Sequence, residues 1–265
     1  MGRVTLRDVT IAAGERTLFR DVSFEAAPGE LIAIVGPNGV GKTTLLRAIS
    51  GFSKPREGRI AIDGKNPLTL AARERARAVT LIGSDVETPP ATTVREIVAT
   101  GRFAFRAWWD WTQDDAGDDA IGRALAIVDL AHEGERYFET LSSGERQRAY
   151  LALALAQDAS VVLLDEPTSH LDPRYALETL CAIRGIASGE RTALVVLHDL
   201  NEAAAVADRI AVLGENRLLA CAAPAEALDP QILERAFGIA FDRFDEDANV
   251  RVIPRGYRAA RTAPD

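Results

Sequence analysis

Apolar and polar residues alternate over the first 25 positions, with Val4, Leu6, Val9, Ile11, Leu18, Val22 and Phe24 at strand spacing. Gly14 and the pair Pro28-Gly29 are placed to turn the chain. The pattern then becomes a continuous apolar run, LIAIV at 31–35, of strand length and with no polar face. Such a run suits a strand buried on both sides, as in a parallel sheet. VVLL at 161–164, ALVVL at 193–197 and a stretch at 209–213 read as further strands. Helical periodicity lies between them at 145–157, 173–187 and 200–207, and TTLLRAIS behind a glycine-rich segment also reads as a helix. Strands alternating with helices predict an α/β domain with a mostly parallel sheet, here preceded by an antiparallel β segment.

The stretch from about 86 to 150 breaks this alternation. It has no evident buried strand, and Ile121, Leu125 and Val128 recur at helical spacing. It reads as a helical subdomain inserted into the core formed by 1–85 and 151–225. A C-terminal extension, 226–265, contains an expected helix at 230–237 and two strand-like pieces around the polar turn from Asp245 to Asn249.

Composition narrows the function classes. With 47% apolar and 26% charged residues, the 265-residue chain can bury a sizeable core. A net charge of -8 gives no support for nucleic-acid binding, which normally needs a basic face. Cys181 and Cys221 stand in no C-x-x-C arrangement, so neither a zinc site nor a disulfide framework is suggested. No apolar leader is visible at the start, and no run reaches the roughly 20 residues of a membrane-spanning helix. The reading is cytosolic; if the protein serves a membrane, another chain must cross it.

Residues 36–44 read GPNGVGKTT, a match to G-x-x-x-x-G-K-[ST] between a buried strand and a helix. Gly36, Gly39 and Gly41 allow the backbone to curl so that N–H groups, with those of Pro37's followers Asn38 and Val40, cradle phosphate oxygens. The helix starting near Lys42 adds its positive end. Lys42 supplies a compact charge for the β- and γ-phosphates, and Thr43, followed by Thr44, offers a hydroxyl to Mg²⁺. A structural glycine loop is the plainer reading, but the full motif in its required context favours a nucleotide. In VVLLDE, 161–166, an apolar strand delivers Asp165 and Glu166 at its C-terminal end, where α/β sheets bind ligands. Asp165 is placed to hold Mg²⁺ and Glu166 to orient or deprotonate a water. Two solvated acids at a strand end are the alternative; the phosphate loop tips the balance.

LSSGERQR at 141–148 by itself is an ordinary helix start, with Ser142 or Ser143 as N-cap. It precedes LDEPTSHLD at 164–172 and a histidine in VVLHD at 195–199. These four ordered motifs, over roughly residues 3–255, resemble the ABC (ATP-binding cassette) ATPase family. The resemblance implies a P-loop NTPase, RecA-like fold and hydrolysis of ATP with Mg²⁺. It implies that Leu141, Ser142, Ser143, Gly144 and Glu145 form a signature loop acting on the opposite subunit, with Ser143 where the family usually has glycine. Asp165 would be the Mg²⁺-associated acid, Glu166 the catalytic base, and His198 a contact to the γ-phosphate. Ser169 to Asp172 would cross the interface of a head-to-tail dimer.

Two positions depart from the family. Its usual adenine-stacking aromatic falls at Ala13, which predicts weaker or less base-selective nucleotide binding unless a stacking partner comes from elsewhere. Its glutamine near Mg²⁺ falls at Ser84, which predicts slowed turnover or altered coupling; Asp85 or Glu87 could substitute. In style, TVREIVATGRF, LHDLNEAAAVADRIAVL and the ending PAEALDPQILERAFGIAFDRF resemble the importer branch for iron-siderophore, haem and cobalamin. That resemblance implies a second ATP-binding subunit, integral membrane permease subunits, an indirect link to a substrate-binding protein, and a place on the cytoplasmic face of the membrane. Trp108, Trp109 and Trp111 either pack the helical subdomain or form a groove for permease helices. The competing classes are a non-transport ABC ATPase and a regulatory nucleotide-binding module; Glu166 and His198 argue against the second.

Overall fold

The computed structural model describes residues 1–83, 90–105, 115–169, 171–246 and 249–256. The chain opens with β1 (Val4–Ala13), β2 (Arg16–Ala26) and β3 (Leu31–Val35), then α1 (Lys42–Ile49) and β4 (Glu57–Ile62). After α2 (Ala72–Ala78) and β5 (Val79–Ile82) come three helices, α3 (Val94–Thr100), α4 (Asp115–Ile127) and α5 (Ser143–Gln157). Strands and helices then alternate through β6 (Val161–Asp165), α6 (Pro173–Ile186), β7 (Thr192–Val196), α7 (Leu200–Val206) and β8 (Arg209–Gly214). The chain continues through β9 (Arg217–Ala222), α8 (Pro224–Ala227), α9 (Pro230–Phe237), β10 (Phe241–Glu246) and β11 (Asn249–Pro254).

The main sheet has the order β5-β6-β7-β3-β8-β9, parallel except for the antiparallel edge pair β8–β9. Its central strands show why their sequences are apolar throughout. Leu31, Ala33 and Val35 enter one core, while Ile32 and Ile34 enter the other. Strand geometry sends successive side chains to opposite faces, so a strand covered on both sides has no polar position to spare. One face is covered by the helices, including Ile121, Leu125 and Val128 of α4 and its C-terminal end. The other is covered by α1 and by the antiparallel sheet β2-β1-β4. Full burial of each large aliphatic side chain contributes about 1.5–3 kcal/mol.

Three strands escape the sequence pattern: β4, β5 and β9. β4 is EGRIAI, with its first three residues exposed, and β5 has only four residues. β9, RLLACA, is an edge strand with no fully buried side chain. Short or half-exposed strands lack the long apolar run that marks a central one.

The C-terminal hairpin β10–β11 is part of the packed body, with Phe241, Val250 and Val252 buried in the helix-side core. Asn201 in the first turn of α7 ties it down: its amide donates to the Val252 carbonyl (3.2 Å) and accepts from the Val252 N–H (2.9 Å). Both bonds are part-buried. Asn201→Ala is expected to leave both Val252 backbone groups unpaired, lowering stability by about 1–3 kcal/mol. The urea unfolding midpoint measures this; an unchanged midpoint would sink the expectation.

Candidate functional site

Sheet topology assembles the site. β7 lies between β6 and β3, so the C-terminal ends of the three strands stand side by side. These ends carry Asp165 and Glu166 from β6, His198 just beyond β7, and the phosphate loop beyond β3. A cavity of about 540 Å³ opens there, lined by Asn38, Gly39, Gly41, Lys42, Thr43, Thr44, Glu166 and His198, and also by Ala13, Arg16 and Leu18.

The loop's backbone needs its glycines. Gly36, Gly39 and Gly41 have φ values of 154°, 73° and 111°. At Gly41 there is also no room: an added Cβ would stand 2.8 Å from Leu18 Cδ1 and 3.1 Å from Phe19 Cε2. Leu18 and Phe19 both face inward because the β1–β2 register shifts between Ile11 and Ala12, pairing Ile11 with Phe19 but Ala12 with Thr17. Pro37 closes a turn by accepting from the Val40 N–H at 3.3 Å. Lys42 is 5% exposed, and its ammonium donates to the carbonyls of Gly36 (2.8 Å) and Pro37 (3.2 Å). Burial pulls its pKa below the usual lysine value, against the opposing pull of Glu166 and Asp165.

The acids differ in setting although they are adjacent. Asp165 closes β6, and burial pushes its carboxyl above the usual range, a shift moderated by the Thr43 hydroxyl beside it. Its Oδ1 is buried without a hydrogen-bond partner. Buried oxygens of this kind are ordinarily satisfied, and a carboxylate–hydroxyl pair is the hard oxygen donor set that Mg²⁺ favours. Glu166 sits at φ 54°, a left-handed conformation that costs a non-glycine residue about 1–3 kcal/mol. Its Oε1 stands 2.6 Å from His198 Nε2, and its Oε2 accepts from the Ser169 hydroxyl at 3.3 Å.

The remaining predicted residues are placed elsewhere. Asp172 caps α6 by accepting from the N–H groups of Arg174 and Tyr175. Ser142 caps α5 in a reciprocal arrangement with Glu145, and backbone donation from Ser142 holds the Glu145 carboxyl below the usual range. Leu141 is buried, Ser143 is exposed, and a Cβ on Gly144 would meet Tyr175 Cγ at 2.8 Å, so α5 and α6 approach closely there. None of Leu141 to Glu145 lines the cavity. Ser84, Asp85, Glu87, Trp108, Trp109, Trp111 and His170 lie outside the described residues. Arg16 and Leu18 were not anticipated as cavity residues; a strand pattern carries no sign of which hairpin will face a distant loop.

Among the described residues, no helix is long and apolar enough to cross a membrane. A family model described as "ABC transporter" matches residues 19–169. The chain is 33% identical over 267 residues to the ferric enterobactin transport ATP-binding protein FepC of Escherichia coli (strain K12), covering 99% of this chain and 98% of that one. It is 37% identical over 234 residues to the hemin import ATP-binding protein HmuV of Pseudomonas fluorescens (strain Pf0-1), covering 86% and 90%. A solved ABC transporter structure in an inward-facing conformation aligns with a TM-score of 0.81 and 23% identity, covering 95% of this chain and 96% of that one.

Proposed function

The chain belongs to the ABC transporter family, and from that membership we propose that it serves an importer of iron-siderophore, haem or cobalamin-type compounds. Its own part is ATP hydrolysis, which powers import. The observation that supports the cargo class is the end-to-end likeness to the ferric enterobactin protein. The cargo itself does not enter the cavity described above. Permease subunits carry it across the bilayer, a substrate-binding protein hands it over, and this chain sits against the cytoplasmic face of the permease.

In this reading the phosphate loop holds the triphosphate and Lys42 exchanges its loop carbonyls for phosphate oxygens. Asp165 and Thr43 would hold Mg²⁺, and the partnerless Oδ1 of Asp165 supports that fit. When bound, Mg²⁺ supplies neutralisation of phosphate charge. Glu166 orients a water and accepts its proton, and His198 faces the γ-phosphate from the neighbouring strand. The signature segment stands away from its own cavity, at the N-terminus of the 15-residue helix α5. A helix N-terminus favours anions, so that segment can close over the γ-phosphate held by a second copy. A two-fold pairing then makes two equivalent sites, joined while ATP is present and released after hydrolysis.

The test is affinity purification of the tagged chain from detergent-solubilised membranes. A polytopic membrane protein recovered in one-to-one ratio is expected. Recovery only in the soluble fraction, alone or with ribosomes, would overturn the importer assignment and leave the nucleotide chemistry standing.

A further inference from the structure

The cavity is lined by two chemically different sets of side chains. Lys42, Thr43, Glu166 and His198 form one, and Ala13, Arg16 and Leu18, from the β1–β2 hairpin, form the other. With the triphosphate on the loop and its terminal phosphate toward Glu166 and His198, the nucleoside projects toward the hairpin. No aromatic side chain lines the cavity among the described residues. Ala13 contributes only a methyl group there.

Its cross-strand neighbour is Arg16, paired with Ala13 where the hairpin closes. Arg16 is exposed, and among the described residues its guanidinium has no hydrogen bond, ion pair or ring contact. Arg56 and Arg3, by contrast, are committed: Arg56 donates to the Glu15 carbonyl at 3.4 Å, and Arg3 pairs with Glu25. Ala13, its pairing partner, is small, and both residues line the cavity. A guanidinium is planar, delocalised and weakly hydrated, and it stacks on π-systems at modest desolvation cost.

We infer that Arg16 is the base-stacking residue of this nucleotide site, its guanidinium plane taking the place left by the absent aromatic at position 13. The inference rests on the nucleotide-site reading above and adds the identity of the nucleoside contact. Stacking of this kind is tolerant of base identity, so ATP and GTP bind with similar affinity.

The experiment titrates the full chain with ATP and with inorganic tripolyphosphate, a probe that has the phosphates and no base. Arg16→Ala is expected to weaken ATP about tenfold while leaving tripolyphosphate unchanged. Arg16→Lys, which keeps the charge and loses the plane, should bind ATP as weakly as Arg16→Ala. Adding Ala13→Tyr to Arg16→Ala should restore ATP affinity. The inference is overturned if Arg16→Ala binds ATP like the unsubstituted chain. It is also overturned if tripolyphosphate weakens in parallel and Arg16→Lys rescues both, since Arg16 would then be a phosphate contact. Failure of the unsubstituted chain to bind ATP would instead overturn the nucleotide-site reading on which the inference stands.

Discussion

Glu166→Gln is expected to slow ATP turnover by about 10²–10⁴-fold while leaving ATP binding within a few-fold of the unsubstituted chain. The substitution keeps shape and hydrogen-bonding reach, so the contacts to His198 (2.6 Å) and to Ser169 (3.3 Å) can be remade by an amide. An amide cannot accept a proton from water at neutral pH. What is lost is therefore the base and little else. The strained backbone supports this separation: Glu166 is held at φ 54° on a turn that begins at the end of β6, independent of side-chain charge. Two measurements check it, phosphate release in a single turnover and equilibrium binding of ATP. Turnover equal to that of the unsubstituted chain would remove Glu166 from the mechanism. A parallel loss of binding would make it a structural residue.

Lys42→Ala is expected to weaken ATP binding by at least about tenfold, and up to about 150-fold, from loss of charge-assisted hydrogen bonds to phosphate. Two effects oppose each other here. The ammonium already donates to the carbonyls of Gly36 and Pro37, so phosphate must replace bonds that exist. Those partners are neutral, whereas phosphate oxygens are charged and the group is almost fully buried, which makes the exchange favourable. Burial alone pulls the Lys42 pKa down, and the carboxylates of Glu166 and Asp165 push it back up. A bound triphosphate adds negative charge on the same side and holds the proton more firmly. Isothermal titration with ATP checks the loss. Equal affinity in Lys42→Ala would place the phosphates elsewhere. Turnover should fall at least as far as binding at any ATP concentration below saturation.

The site was legible where chemistry depends on neighbours in sequence. Gly36 to Gly41 form one continuous loop that runs into α1 at Lys42, and Asp165 and Glu166 are adjacent, so each group could be recognised from spacing alone. The central strands were equally plain, because burial on both faces forces an uninterrupted apolar run such as Leu31–Val35. The edges were not: β4, β5 and β9 are short or half-exposed, and their patterns match loops as well as strands. The helix expected at 145–157 begins two residues earlier, at Ser143, because the cap formed by Ser142 and Glu145 extends its first turn. α5 also runs unbroken through position 150, so the inserted helices and the core share a helix at the boundary drawn there.

By itself, the sequence determined the α/β alternation, the phosphate loop, the acid pair and, through the order of its motifs, the resemblance to a family of ATPases. These are local properties, set by residue type and spacing along a few turns of chain. Only the tertiary structure decided which distant segments meet. It brought Arg16 and Ala13 to the same cavity as a glycine-rich loop that begins at residue 36, and it set His198 against Glu166. It seated the C-terminal hairpin on α7 through Asn201 and kept the signature segment away from its own cavity. The reason is that strand order in the sheet is chosen by packing on two faces and by crossover geometry. No periodicity in the chain encodes that β7, and neither α1 nor β4, stands between the strand of the acids and the strand of the loop.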